Sequence, residues 1–282
     1  MKKKAILLIL GILLSLCLIS ALNMSGYLFI SGWGNGRFLG ARIRAYPKNA
    51  FITDTLRLLK LRKDNAAYLN SEQILNLEPY NIDALWIKAE VLRRKNNYKN
   101  SEELLRNILN DDPEHNPSLI SLAYIEYNAN KFDEAQRLIQ RVLKSKDLER
   151  EEQALAFMML GAINSGRAQS GGWIFNKFRY GTKIKGYFLK AREIAPDLPE
   201  VHLALGTFYL YAPALVGGNL NKAISELERA VSIAPEFATA YARLAQAYKA
   251  KNDMAKYNLF LNKAKKLDPQ DETVKKAEDD KH

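Results

Sequence analysis

Residues 235–269 read PEFATAYARLAQAYKAKNDMAKYNLFLNKAKKLDP: two segments rich in apolar residues, joined at Asn252-Asp253 and bracketed by prolines 34 residues apart. Asparagine and aspartate at the join are turn formers. Proline closes such a stretch because it lacks the N–H that a continuing helix needs. The spacing recurs, since Pro79 and Pro113 are also 34 residues apart and Pro196 precedes Pro235 by 39. A fixed period of this length is expected of stacked helix pairs, none of which can bury its apolar face alone.

With each proline placed at position 32 of its unit, agreement appears at positions not used to find it. The unit from Ile82 has Ala89, Ser101, Leu105 and Ile108 at positions 8, 20, 24 and 27. The unit from Asn116 has Leu122-Ala123, Ala135, Ile139 and Val142, with Asp147 in place of proline, and Asn116-Pro117 reads as a cap followed by the first helical position. The unit from Pro199 has Leu205-Gly206, Ala223, Leu227 and Ala230; the last, from Ala238, has Leu244-Ala245, Leu261 and Ala264 but Tyr257 where a small residue belongs. Residues 48 to 81 match only at Phe51, Leu58, Ala67 and Pro79 and read as a degenerate first unit. A further unit, from about Ala154, carries Leu160-Gly161, Phe188, Ala191 and Pro196. This pattern resembles the tetratricopeptide repeat family. The resemblance implies an all-α, right-handed superhelical solenoid of about six helix pairs over residues 48–271, followed by a charged tail at 272–282, with small residues at positions 8 and 20 letting paired helices approach.

Upstream, Met1-Lys2-Lys3-Lys4 precedes an uncharged run from Ala5 to Leu22 with eight Leu and four Ile. As a helix its eighteen residues span about 27 Å, close to a hydrocarbon core. Residues 1–30 are expected to be a transmembrane signal-anchor and residues 31–47 a basic, glycine-containing linker. A signal cleaved after Ala21 and a lipoprotein modified at Cys17 remain alternatives. The N-terminal lysines favour a single-pass protein with its repeats on the extracytoplasmic, periplasmic side, although Arg37, Arg42 and Arg44 follow the span closely and pull the other way.

Two units are too long. About eleven extra residues lie near 165–180, containing Gly171, Gly172, Trp173, Phe175, Arg179 and Tyr180, and five lie near 212–219, containing Pro213, Gly217 and Gly218. Both fall between the helices of their units, so they should be neighbours along one edge, and insertions in repeat arrays map to binding faces. These residues form a candidate loop edge. The alternative is that Trp173, Phe175, Phe178 and Tyr180 tuck into the core. Neither Gly-Gly pair is followed by the Lys-Ser/Thr of a phosphate loop.

The inner groove of such a solenoid is lined from its first helices, here by Trp86, Glu90, Arg93 and Arg94, then Ile120, Tyr124, Tyr127 and Asn128, then Leu203, Thr207, Leu210 and Tyr211. The Lys/Asn/Arg clamp of the chaperone-binding subfamily does not occur at these positions. An aromatic and apolar groove with basic ends suits an extended or helical peptide. With a net charge of +11, the chain also suits anionic headgroups near Arg37 to Lys63; no nucleic-acid partner is expected. One cysteine and three dispersed histidines offer no metal set, and no paired carboxylates or Ser/His/Asp constellation points to an enzyme or cofactor. The expected function is a membrane-anchored scaffold binding proteins in the cell envelope. The Gly-Gly-Asn insertion before Lys222-Ala223-Ile224 is similar to units of periplasmic accessory proteins of tripartite solute transporters. Over residues 199–235 that similarity implies, as the alternative, a ligand- or transporter-linked role.

Overall fold

The computed structural model describes residues 48–170 and 174–279, and within them the side chains of 50–170 and 183–279. The expected membrane helix and the linker lie outside the described residues. No helix among the described residues is long and apolar enough to cross a membrane. The chain divides into two compact units, Met1–Phe51 and Ile52–His282; the architecture below is that of the second.

All regular structure among the described residues is helical: α1 (Lys48–Lys60), α2 (Asp64–Leu77), α3 (Ile82–Arg94), α4 (Tyr98–Asp111), α5 (Asn116–Asn128), α6 (Phe132–Val142), α7 (Arg150–Ser170), α8 (Ile174–Ile194), α9 (Pro199–Tyr211), α10 (Leu220–Ile233), α11 (Ala238–Ala250), α12 (Met254–Leu267) and α13 (Glu272–Asp279), with a short 3₁₀ turn at Ala214–Val216. Consecutive helices pair antiparallel, giving six pairs and one additional helix. That helix, α13, occupies what was expected to be a charged tail: its Val274 and Ala277 are buried and close the apolar face of the last pair.

Caps set the helix starts. Asn81, Asn219 and Asp253 each accept the backbone N–H three residues on, at 3.0, 2.9 and 3.0 Å. For α5 the cap is His115, whose Nδ1 receives Ser118 N–H, rather than Asn116 as the sequence suggested. Asn116 is freed to bridge units, donating to Ser145 and, at 2.9 Å, to Glu152. The turns inside pairs reverse through a left-handed residue: Asn96, Asn130 and Asn252 at φ 59°, 60° and 63°. Asparagine tolerates that region better than most residues. The first pair uses Arg62 at φ 62°, a residue with no such preference.

The small residues do what the period requires. Ala89 and Ser101 are fully buried, and Ser101 Oγ donates to Ala89 O at 2.7 Å across the pair. A Cβ on Gly206 would stand 2.5 Å from Leu227 Cγ and 3.2 Å from Ala223 O, so only glycine fits there. Tyr257, the apparent misfit, is fully buried, and its hydroxyl donates to Ala277 O at 2.7 Å, fastening α13 to the last pair. In the first pair the matching positions hold Thr55, Ala67, Ser71 and Ile74, all buried. Polar Ser71 in the place of a large apolar residue is why that unit reads as degenerate.

In its described residues the longer insertion is helical rather than a loop. It lengthens both helices of its pair, so that α7 and α8 run to 21 residues each, against 13 and 14 in α3 and α4. Gly166 lets the α7 extension lie against α6, since a Cβ there would stand 2.5 Å from the Phe132 ring. Arg167 pins it to Asp133 at 2.5 Å.

Candidate functional site

The expected groove residues divide into two groups with different chemistry. In the first, Glu90 is 6% exposed and accepts four hydrogen bonds: two from Arg93, one from Arg94 at 2.8 Å and one from Ser121 at 2.8 Å. Trp86 Nε1 donates to the same Ser121 hydroxyl at 3.1 Å. Arg93 stacks over Tyr124, 4.3 Å from the ring centroid. Arg94 also reaches Asp64 at 2.6 Å and Leu59 O at 2.9 Å, tying the second pair to the first.

The α1–α2 turn then closes this region from across the solenoid. Arg62 pairs with Glu200 at the start of α9 at 2.8 Å, and its guanidinium lies 3.9 Å from the centre of the Phe237 ring. Lys60 meets Glu151 at 2.7 Å. The left-handed backbone of Arg62 is therefore held by tertiary contacts, as strained residues must be. Three guanidiniums (Arg62, Arg93, Arg94) face three carboxylates (Asp64, Glu90, Glu200), so the basic end that the sequence suggested is neutralised internally. Burial alone would push the Glu90 carboxyl up, but Arg93 and Arg94 outweigh it and hold it well below the usual carboxylate range. Burial pushes the Tyr124 hydroxyl up to about 12, against the opposing pull of Arg93. None of these three guanidiniums is left uncommitted for a peptide carboxylate.

The second group stays open. Tyr211 is 56% exposed and donates to Gln246 Oε1 at 2.8 Å; Arg243 donates to the Tyr211 hydroxyl at 2.9 Å and to Gln246 Oε1 at 3.0 Å. Asn128 is exposed and donates to the Tyr98 hydroxyl at 3.1 Å. Tyr127 is half-buried beside Phe132, and Thr207 is half-buried on α9. No carboxylate among the described residues pairs with Arg243. Arg243 and Gln246 were missed at the sequence level, although Gln246 occupies position 9 of the last unit, the position that supplies Glu90 and Tyr124 in earlier ones.

Between the α1–α2 and α3–α4 turns on one side and the approaches to α11 and α13 on the other lies a cleft of about 430 Å³, walled by Arg62, Arg94, Lys95, Phe237 and Asp271 among others. Among the described residues no group of three His, Cys, Asp or Glu could hold a metal. His202 is buried with both ring nitrogens occupied, by Glu226 at 2.6 Å and Pro196 O at 2.7 Å.

Of the expected loop edge, Gly171, Gly172 and Trp173 lie outside the described residues. Phe175, Arg179 and Tyr180 stand on helix α8 rather than in a loop. Pro213, Gly217 and Gly218 form the turn after α9, and α8 runs beside it: a Cβ on Gly217 would come within 3.1 Å of Lys185 Nζ.

Comparison with known proteins agrees with this architecture. Residues 238–271 match the tetratricopeptide repeat family model. A curated relative, the DnaJ homolog subfamily C member 7 homolog of Dictyostelium discoideum, is 28% identical over 200 residues, covering 71% of this chain and 36% of its own length. The chain thus spans about a third of that relative. A thermophilic tetratricopeptide repeat protein of Thermus thermophilus superposes with a TM-score of 0.50 at 17% identity, covering 79% of this chain and 95% of its own. The human IFIT1 dimer with m7Gppp-AAAA gives 0.56 at 19% identity, covering 80% and 51%. The fold is an all-α solenoid of the tetratricopeptide type.

Proposed function

We propose that this solenoid is a protein-binding scaffold held at a membrane of the cell envelope, and that it receives a carboxylate-bearing peptide segment at Arg243. The supporting observation is the contrast within the inner face. Arg62, Arg93 and Arg94 are each matched to a carboxylate, whereas Arg243 is held by the neutral Tyr211 and Gln246 and keeps its charge available. A guanidinium braced in this way presents its remaining donors in a fixed fork suited to a carboxylate, and the Tyr211 and Tyr127 rings supply adjacent apolar surface. The membrane part of the reading rests on the uncharged run Ala5 to Leu22. Pull-down from detergent extract tests the binding: Arg243→Glu should lose the main partner while retaining wild-type helicity and melting temperature. Unchanged capture would remove Arg243 from the site. Resistance of the full chain to carbonate extraction tests the anchor.

A second reading is an accessory component of a solute transport system that retains a small ligand. It draws support from the cleft of about 430 Å³, which lies within the size range of small-molecule sites. Native mass spectrometry of freshly extracted protein would distinguish the two, through a retained small mass or its absence.

A further inference from the structure

The turn after α9 holds an apolar tip in water. Leu215 is 94% exposed and Val216 44%, with Pro213 and Ala214 exposed beside them. This is not slack chain. Val216 and Gly218 N–H both return to Pro213 O at 3.0 Å, Gly217 N–H returns to Ala214 O at 3.0 Å, and Asn219 N–H closes the base on Tyr209 O at 2.8 Å. Gly217 sits at φ +105°, and a Cβ on Gly218 would fall 1.8 Å from Ala212 O, so the Gly-Gly pair is what permits this tight closure. A turn fixed in this way cannot fold Leu215 back onto the protein.

The base of the tip is cationic. Lys185 and Lys222 approach the same buried ring, Tyr209, at 5.9 and 5.8 Å from its centroid, and Lys185 lies against Gly217. Lys222 is also in the first turn of α10, where the helix terminus adds partial positive charge. No carboxylate among the described residues pairs with either lysine. The segments that flank the tip in sequence carry no acid toward it. None occurs from residue 153 to 192 or from 201 to 225, and Glu193, Asp197 and Glu200 lie at the opposite ends of α8 and α9, about 20 Å from the tip along a thirteen-residue helix.

An exposed leucine on a closed turn, with two lysines set behind it that pair with no carboxylate among the described residues, matches a bilayer interface: the apolar tip enters the acyl boundary while the ammoniums meet phosphate. The geometry points to the 213–217 turn as a contact with an anionic lipid surface, distinct from the protein-binding reading at Arg243.

The test uses the full chain with Cys17→Ser, which removes the lone cysteine, and an environment-sensitive fluorophore attached at Leu215→Cys. Tyr80→Cys, at an 89% exposed position in the α2–α3 connection, carries the control label. With vesicles of phosphatidylcholine and phosphatidylglycerol, the label at 215 should shift to the blue and be quenched by brominated acyl chains, while that at 80 stays aqueous. The shift should be much smaller with phosphatidylcholine alone, and should fall in a Lys185→Glu/Lys222→Glu variant of unchanged helicity. An unshifted label at 215, an equal shift at 80, or equal shifts in neutral and anionic vesicles would each overturn the assignment. So would a shift that needs only more protein, since the tip would then be a self-association surface.

Discussion

The inner face around Glu90 and the turn at Leu215 invert the usual partition between core and water, in opposite directions. At Glu90 a carboxylate and its guanidinium partners are withdrawn from solvent; at Leu215 a large aliphatic side chain is held out into it. The first arrangement persists because every charge brought inside meets an opposite one with hydrogen-bonding geometry, and replacing any member strands the others. The second persists because exposing one leucine costs only about 1.5–3 kcal/mol relative to burying it, a loss the rest of a long array absorbs. The repeat period sets where Glu90 stands but fixes the residue type at neither place, since both lie off the positions where paired helices touch. Such positions are free to be used for winding the array onto itself in one case and for meeting another surface in the other.

The comparison breaks most readily at Glu90. Glu90→Ala leaves Arg93 and Arg94 buried without their carboxylate and should destabilise the protein by about 3–5 kcal/mol in urea unfolding; a loss below ~1 kcal/mol would mean that the cluster is open to water.

The same cluster should respond to acid and to alkali. Because the Glu90 carboxyl is held low by Arg93 and Arg94, its contribution is full above the unfolded value of about 4.3 and disappears as pH falls toward the lower folded value. Glu90→Gln should flatten that acid limb. For Tyr124 the sign is reversed. With its hydroxyl pushed up to about 12, its contribution is full below the ordinary value of about 10 and is lost as pH rises through 12. Tyr124→Phe should remove that alkaline loss, seen as a tyrosinate absorbance change that no longer coincides with unfolding.

Tyr257→Phe separates cap from core. It keeps the buried ring and removes the hydroxyl's bond to Ala277 O, so about 1 kcal/mol should be lost, with hydrogen exchange accelerated first in α13. Uniform acceleration across the last two pairs would show that α13 does not open separately.

Leu215→Ser should have the smallest effect on folding, within about 0.5 kcal/mol of wild type, since nothing packs on that side chain. A melting temperature lowered by several degrees would show that Leu215 is packed in solution and that the contrast with Glu90 is false.

Much of the fold was legible because it rests on local, periodic requirements. Prolines 34 residues apart, small residues such as Ala89 and Ser101 at facing positions, and asparagines at the turns are each imposed by one helix pair on itself. The period also places Glu90, Tyr124 and Tyr211 on first helices, as the structure has them. Their state was not legible. Glu90 is saturated by Arg93, Arg94 and Ser121, but the closing pair of this region, Arg62 and Glu200, is 138 residues apart in sequence yet 2.8 Å apart in space, and no period relates them. The longer insertion was misread for a related reason: the period expects a turn there, whereas contacts with α6, such as the Phe132 ring against Gly166, support an extension of α7. By itself the sequence determined the helical repeat and the helices on which the groove residues lie, because stacking neighbours interact over one period. The tertiary structure alone decided which inward charges are neutralised and which apolar groups stay in water, because those depend on how one end of the array meets the other.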